Sequence, residues 1–131
     1  MTAALEAERR AAGRDRTDVP DLSCCPLYHD AVELIGRRWS GAIVEVLLQR
    51  PALRFSEIAQ AVPQLSDRLL SERMKELETR GLVLRTVREG PPVRVEYELT
   101  SMGHELEPAL AELKRWARRW LREQSRAAAT R

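Results

Sequence analysis

Polar side chains line one face of the segment SDRLLSERMKELETRGL, which begins at Ser66 and ends at Leu82. Leucine and methionine recur at three- and four-residue spacing along it, which predicts a helix with one apolar face. The opposite face carries Arg68, Ser71, Glu72 and Lys75. Arginine pairs with guanine edges, serine bonds to bases or phosphates, and lysine suits phosphates. This face could therefore read double-stranded DNA, or it could simply be solvated.

A second candidate for chemistry is the pair of adjacent cysteines, Cys24 and Cys25, ahead of the first predicted helix. Neighbouring cysteines rarely bridge each other because the ring that they would close is strained. A helix N-terminus stabilises a thiolate, and His29, Arg37 and Arg38 lie close in sequence, so the surroundings of Cys25 could favour its charged form. It could equally be a small apolar residue, or either cysteine could bridge two subunits. No CxxC motif or histidine cluster predicts a metal site, and we expect no cofactor.

Helical patterns also occur before Ser66. LYHDAVELIG and SGAIVEVLLQR both carry apolar stripes, with Ser40 as the candidate N-cap of the second helix and Trp39 expected in the core. RFSEIAQAV predicts a short third helix that ends before a proline. Because the next helix begins after a few turn residues, the two form a helix-turn-helix pattern.

After Gly81 the spacing of apolar residues changes from a period of 3.6 residues to a period of two residues. LVLRTVRE and VRVEYELT alternate apolar and polar residues around a GPP turn, which predicts a β-hairpin. Arg88 and Arg94 flank its tip. A helix-turn-helix followed directly by a hairpin is the winged-helix arrangement, in which the second helix enters the major groove of DNA.

The last predicted element is a long helix from about Ser101 to Gln124, which Pro108 should kink or divide. So small a domain cannot bury its whole length, and the leftover apolar surface predicts a partner helix from a second copy. The expected dimer interface comprises Leu27, Leu110, Leu113, Trp116, Ala117, Trp120 and Leu121. Arginines crowd the same C-terminal end, as a solvated face or a polyanion contact.

Length and composition fit one globular domain. The chain has 131 residues, 32% of them charged, with a net charge of +2. We expect a disordered or frayed tail at residues 1–22, one domain at 23–126 and a short tail at 127–131. No segment is apolar enough for a membrane span or a signal peptide, so we expect a cytoplasmic protein without a membrane partner. No Gly-rich phosphate loop, HExxH or nucleophile elbow predicts an enzyme.

The residue pattern resembles the HxlR-type regulators, bacterial winged-helix transcription factors similar to the MarR family. The resemblance covers about Cys25 to Trp116 and is carried by CPLYHDAVELIGRRW, LRFSEIAQAVPQLSDRLLSERMKELETRGLVLRTV, PPVRVEYELTSMGHEL and LKRW. It implies a homodimer that is joined through its N- and C-terminal helices and that binds an inverted repeat. It also implies that Cys25 matches a cysteine that senses oxidants in some members. The family more often has proline where Asp67 stands, and an acid there would lie near phosphates or stabilise the helix N-terminus.

We therefore predict a mainly α fold with a small β-hairpin wing, and a DNA-binding transcriptional regulator. Residues 66–80 would be the recognition helix and residues 82–99 the wing. The candidate DNA contacts are Ser56, Ser66, Arg68, Ser71, Glu72, Arg73, Lys75, Arg88 and Arg94. Capping would also explain both Ser56 and Ser66, and pairing with a wing glutamate would explain Arg94.

Regulation would come from a small-molecule effector or from thiol oxidation, through the distance between the two recognition helices. The alternative function is a protein-interaction module that uses the long basic C-terminal helix.

Overall fold

A computed structural model describes residues 25–129, which divide between Ile35 and Gly36 into two compact units. The first described unit holds helix α1 (Pro26–Ile35). Its Leu34 is buried, whereas Leu27, Tyr28 and Val32 are exposed, so α1 presents apolar side chains at its surface. Cys24 and the expected N-terminal tail lie outside the described residues.

The second unit carries the helix-turn-helix and the wing. Its elements in order are α2 (Ser40–Leu48), β1 (Leu53–Arg54), α3 (Phe55–Ala61), α4 (Asp67–Thr79), β2 (Val83–Arg88), β3 (Arg94–Leu99), α5 (Ser101–His104) and α6 (Glu107–Ala129). This is the predicted winged helix-turn-helix fold, in which α3 and α4 form the helix pair and β2 and β3 form the wing.

Helix α4 forms where the sequence predicts it. Leu70, Met74 and Leu77 are buried on its inner face. Ser66 caps its N-terminus, because its side-chain oxygen accepts the Leu69 N–H at 3.2 Å. Gly81 ends the helix in the left-handed conformation with φ of 88°, which glycine adopts without steric cost. Both ends of the helix are thus fixed by local chemistry.

The start of α2 differs from the prediction. The N-cap is Trp39, which adopts a left-handed conformation with φ of 77°, and Ser40 lies inside the helix. The Ser40 hydroxyl is buried and has no hydrogen-bond partner among the described residues, so it does not cap the helix. Trp39 is only partly buried, with the Arg38 guanidinium 5.5 Å from its ring centroid, so the expectation that it fills the core was also wrong.

The wing belongs to a three-stranded antiparallel sheet with strand order β1-β3-β2. Strand β1 has two residues, and Leu53 pairs with Tyr97 of β3. The sequence analysis did not predict β1. The register of the hairpin places Arg88 directly opposite Arg94, so both residues flank its tip as predicted.

The C-terminal region contains two helices rather than one kinked helix. Thr100 caps α5, because its side-chain oxygen accepts the Gly103 N–H at 3.2 Å, and Pro108 lies in the first turn of α6. A side chain at Gly103 would collide with the Leu82 carbonyl oxygen, 2.5 Å from an added Cβ. Helix α6 continues to Ala129, beyond the domain end that we expected at residue 126.

Candidate nucleic-acid interface

The outer face of α4 is open along its length. The Arg68 side chain is 91% exposed, and Ser71 and Lys75 are exposed on the same side of the helix. Glu72 is exposed as well, with its Oε2 3.5 Å from the Arg68 Nε. An ion pair in such an exposed setting contributes little to stability, so Arg68 can exchange Glu72 for a ligand at low cost.

Arg73 does not fit the prediction of an exposed DNA contact. Its side chain is buried, and its Nε donates a hydrogen bond to the Arg38 backbone oxygen at 2.9 Å. The bond joins α4 to the residues that precede α2. Glu76, one turn further along α4, accepts from the Arg37 Nη1 at 3.3 Å. The sequence analysis missed this pair because no local pattern links residues so distant in sequence.

The two serines at helix starts behave differently. Ser66 caps α4 through its side-chain oxygen and remains exposed. Ser56 lies inside α3 and is exposed, so it is not the cap that we considered. The Arg54 backbone N–H is satisfied instead by the Glu57 carboxylate at 2.8 Å.

The wing arginines are both exposed, but only one is held by a neighbour. Arg88 Nε donates to Glu96 Oε1 at 3.0 Å. The Arg94 side chain, for which we considered pairing with Glu96 or Glu98, has no hydrogen-bond or ion-pair partner among residues 25–129. Because arginine has five donors, each of these side chains keeps donors that are available to an anionic ligand.

Helix α6 has an exposed apolar face, and none of its residues, all of which the structure describes, is buried. Its exposed large side chains are Leu113 (56%), Trp116 (53%), Trp120 (47%) and Leu121 (44%), while Leu110 and Ala117 are partly buried. Lys114 Nζ binds Glu45 Oε2 at 2.7 Å and ties α6 to α2. Contiguous exposed apolar surfaces of this kind are typical of sites that bind another protein or a ligand.

The arginines of α6 lie on the side opposite to its apolar face, at the spacing of one helical stripe. The stripe consists of Arg115, Arg118, Arg119, Arg122 and Arg126, all exposed. Arg115 is paired with Glu112, and the Arg119 guanidinium lies 5.1 Å from the Trp120 ring centroid. A partner on the apolar face would leave this stripe uncovered.

Cys25 is exposed, and its backbone oxygen accepts the His29 N–H at 2.9 Å in the first turn of α1. It therefore lies at the N-terminus of a ten-residue helix. Residues 25–129 contain no cluster of side chains that could hold a metal ion.

Comparison with known proteins decides the family. The HxlR-like helix-turn-helix family matches residues 34–125. The chain belongs to this family. The HTH-type transcriptional regulator YvaP of Bacillus subtilis is 48% identical over 97 residues, which cover 74% of this chain and 89% of YvaP. The regulator YodB of the same bacterium is 42% identical over 93 residues, covering 71% of this chain and 82% of YodB.

Solved structures agree with the sequence relatives. Reduced YodB superposes with a TM-score of 0.69 at 39% identity, covering 75% of this chain and 95% of YodB. The redox regulator HypR in its oxidized form has a TM-score of 0.66 at 33% identity, covering 72% of this chain and 95% of HypR.

The chain is therefore an HTH-type transcriptional regulator, in a family of regulators rather than enzymes. No described helix is both long and apolar enough to cross a membrane.

Proposed function

We propose that this HxlR-family chain is a cytoplasmic homodimer that binds an inverted-repeat operator in double-stranded DNA. The observation that carries the proposal is the exposed N-terminal half of α4, where Arg68 and Ser71 stand over a buried apolar stripe. In the helix-turn-helix geometry this end of the second helix contacts base edges. Arg68 would pair with guanine, Lys75 would contact a phosphate, and Ser71 could do either.

The wing extends the contact beyond the major groove. Arg88 and Arg94 lie opposite each other at the tip of the hairpin, so one of them can reach a phosphate while the other enters the minor groove. Dimerisation through the apolar face of α6, together with Leu27 of α1, would set the spacing of the two recognition helices. That spacing is about 34–36 Å when two half-sites lie one turn apart.

Selection of duplexes from a random-sequence pool should yield an inverted repeat, because two identical helices read two identical half-sites. Fluorescence anisotropy at physiological salt should then give about 10³-fold tighter binding to the selected duplex than to a scrambled duplex of the same composition. Selection without an enriched motif, or equal affinity for both duplexes, would contradict the proposal.

The second candidate function is a protein-interaction module that uses the basic C-terminal helix. The observation that favours it is the exposed arginine stripe of α6, which lies away from the apolar face. Equal and weak binding to both duplexes, lost on raising the salt, would indicate only charge attraction to this stripe. That outcome would place the second candidate ahead of operator binding.

Regulation by thiol oxidation is supported by Cys25, which is exposed at the start of α1. The related YodB has been solved in reduced, diamide-treated and quinone-bound forms, and HypR in reduced and oxidized forms. We propose that a two-electron oxidant such as diamide joins the Cys25 thiols of the two subunits in a disulfide, with the two protons and two electrons passing to the oxidant. This bridge would change the distance between the recognition helices and so release the operator. A small ligand bound between the subunits would act on the same distance.

Diamide treatment should lower the affinity for the selected duplex about 5- to 150-fold, the usual range of coupling between two sites. Dithiothreitol should restore it. Cys25→Ser should remove the response, whereas the matched variant Cys24→Ser should retain it. If Cys25→Ser responds to diamide as the wild type does, Cys25 is not the sensor; a response lost only in Cys24→Ser would assign the role to Cys24.

A further inference from the structure

The α1–α2 junction, residues 37–40, combines features that local structure alone does not explain. Among residues 25–129, Trp39 is the one non-glycine residue with a positive φ, a conformation that is strained for an aromatic residue. Next to it, the Ser40 hydroxyl is buried without a hydrogen-bond partner in the described part of the chain. Strain of this kind persists only where surrounding contacts hold it, and it concentrates at functional sites.

Two side chains from one turn of α4 hold this junction. Arg73 is 9% exposed and donates from Nε to the Arg38 backbone oxygen at 2.9 Å. Glu76, three residues further, binds Arg37 at 3.3 Å. Residues three apart on a helix are neighbours, so two consecutive junction residues are bound by two adjacent positions of α4.

The strained backbone and the Arg73 hydrogen bond are linked. The peptide group between Arg38 and Trp39 carries the oxygen that Arg73 binds. Rotation about the N–Cα bond of Trp39, which is its φ, sets how that peptide is oriented relative to the start of α2. The left-handed φ of Trp39 therefore belongs to the geometry in which the Arg38 oxygen meets Arg73.

We propose that Arg73 is a positioning residue for DNA recognition. At about 100° per residue, Ser71 and Lys75 lie roughly 160° around α4 from Arg73, on the face that would meet DNA. A hydrogen bond from Arg73 on the inner side therefore fixes the rotation of the outer side. This inference rests on the proposed function, because it assigns Arg73 a part in operator reading without contact to DNA.

The apolar core cannot supply the same control. Leu70, Met74 and Leu77 anchor α4 by burial, which is a strong but non-directional interaction. A hydrogen bond from a guanidinium to a carbonyl is directional, and its strength falls steeply with misalignment. Base contacts need side chains held within about half an ångström, so rotational freedom of α4 would weaken base contacts while leaving phosphate contacts largely unchanged.

Arg73→Lys tests the inference because it keeps the positive charge and removes the planar Nε donor. The readout is the ratio of affinities for the selected duplex and the scrambled duplex, measured by fluorescence anisotropy. We expect this ratio to fall about ten- to hundredfold, with binding to the scrambled duplex and its salt dependence unchanged. A merely structural role would lower the melting temperature and the active fraction, which affects both duplexes equally and leaves the ratio intact.

A charge-swap series provides the second test and does not depend on whether Arg73→Lys folds. Arg37→Glu and Glu76→Arg should each lower the ratio about two- to fivefold, the range for a partly exposed ion pair, and the double variant should restore it. An unchanged ratio in Arg73→Lys, or in all three swap variants, overturns the inference while operator binding stands. Absence of any preference in the wild type would overturn the proposed function itself.

Discussion

The double substitution Trp116→Glu/Trp120→Glu should produce a monomer that binds the selected duplex about 10²- to 10⁴-fold more weakly than the wild type. Both indoles are about half exposed on the apolar face of α6, where a second copy would bury them. Carboxylates there would lose their hydration on association, which opposes dimer formation. Each remaining subunit would hold one half-site without the gain from simultaneous binding at two.

Sedimentation velocity at micromolar concentration measures the oligomeric state, and anisotropy measures the affinity. Arg118→Gln/Arg122→Gln is the matched control, because it changes the net charge by the same amount on the opposite side of α6. It should remain dimeric. A wild-type monomer, or a dimer that persists in the tryptophan variant, would show that subunits do not pair through this face.

Arg68→Ala should weaken binding to the selected duplex by about 1–3 kcal/mol per half-site and relax specificity at one base pair of each. The physical reason is the loss of a paired hydrogen bond to guanine. The folded state should be unaffected, since the Arg68 side chain is 91% exposed and its pair with Glu72 is a weak surface contact.

Competition with duplexes mutated one base pair at a time locates the position that Arg68 reads. Lys75→Ala serves as a comparison, because loss of a phosphate contact weakens selected and scrambled duplexes alike and lowers the salt slope by about one per subunit. If Arg68→Ala behaved in the same uniform way, its role would be a phosphate contact rather than base reading.

The sequence predicted the elements whose signals are local. Ser66 and Gly81 mark the two ends of α4, and alternation marks both strands of the wing. The features that it missed depend on partners distant in the chain. Strand β1 has two residues and exists only because β3 pairs with it.

In the candidate site, too, the features with local signals were predictable and those that depend on distant residues were not. Exposure of Arg68 and Ser71 follows from the helical period, and the structure confirms it. Burial of Arg73 does not follow from that period, because Arg73 flanks the apolar stripe and could face either way. Its position is decided by the Arg38 carbonyl, 35 residues earlier in the chain. The left-handed conformation of Trp39 could not be predicted from the sequence either, since tryptophan has no local preference for that conformation.

The exposure of α6 has a consequence for the life of the protein in the cell. A helix of 23 residues without a fully buried side chain gains little from packing within one subunit, which is the main source of helix stability in proteins. In the proposed dimer, ordering of this helix and assembly would share one equilibrium, so copy number would set how much of the C-terminal segment is folded. Newly made chains below the assembly threshold would be good substrates for proteases. Degradation of unassembled chains would then give the regulator a minimum abundance below which it leaves its genes uncontrolled.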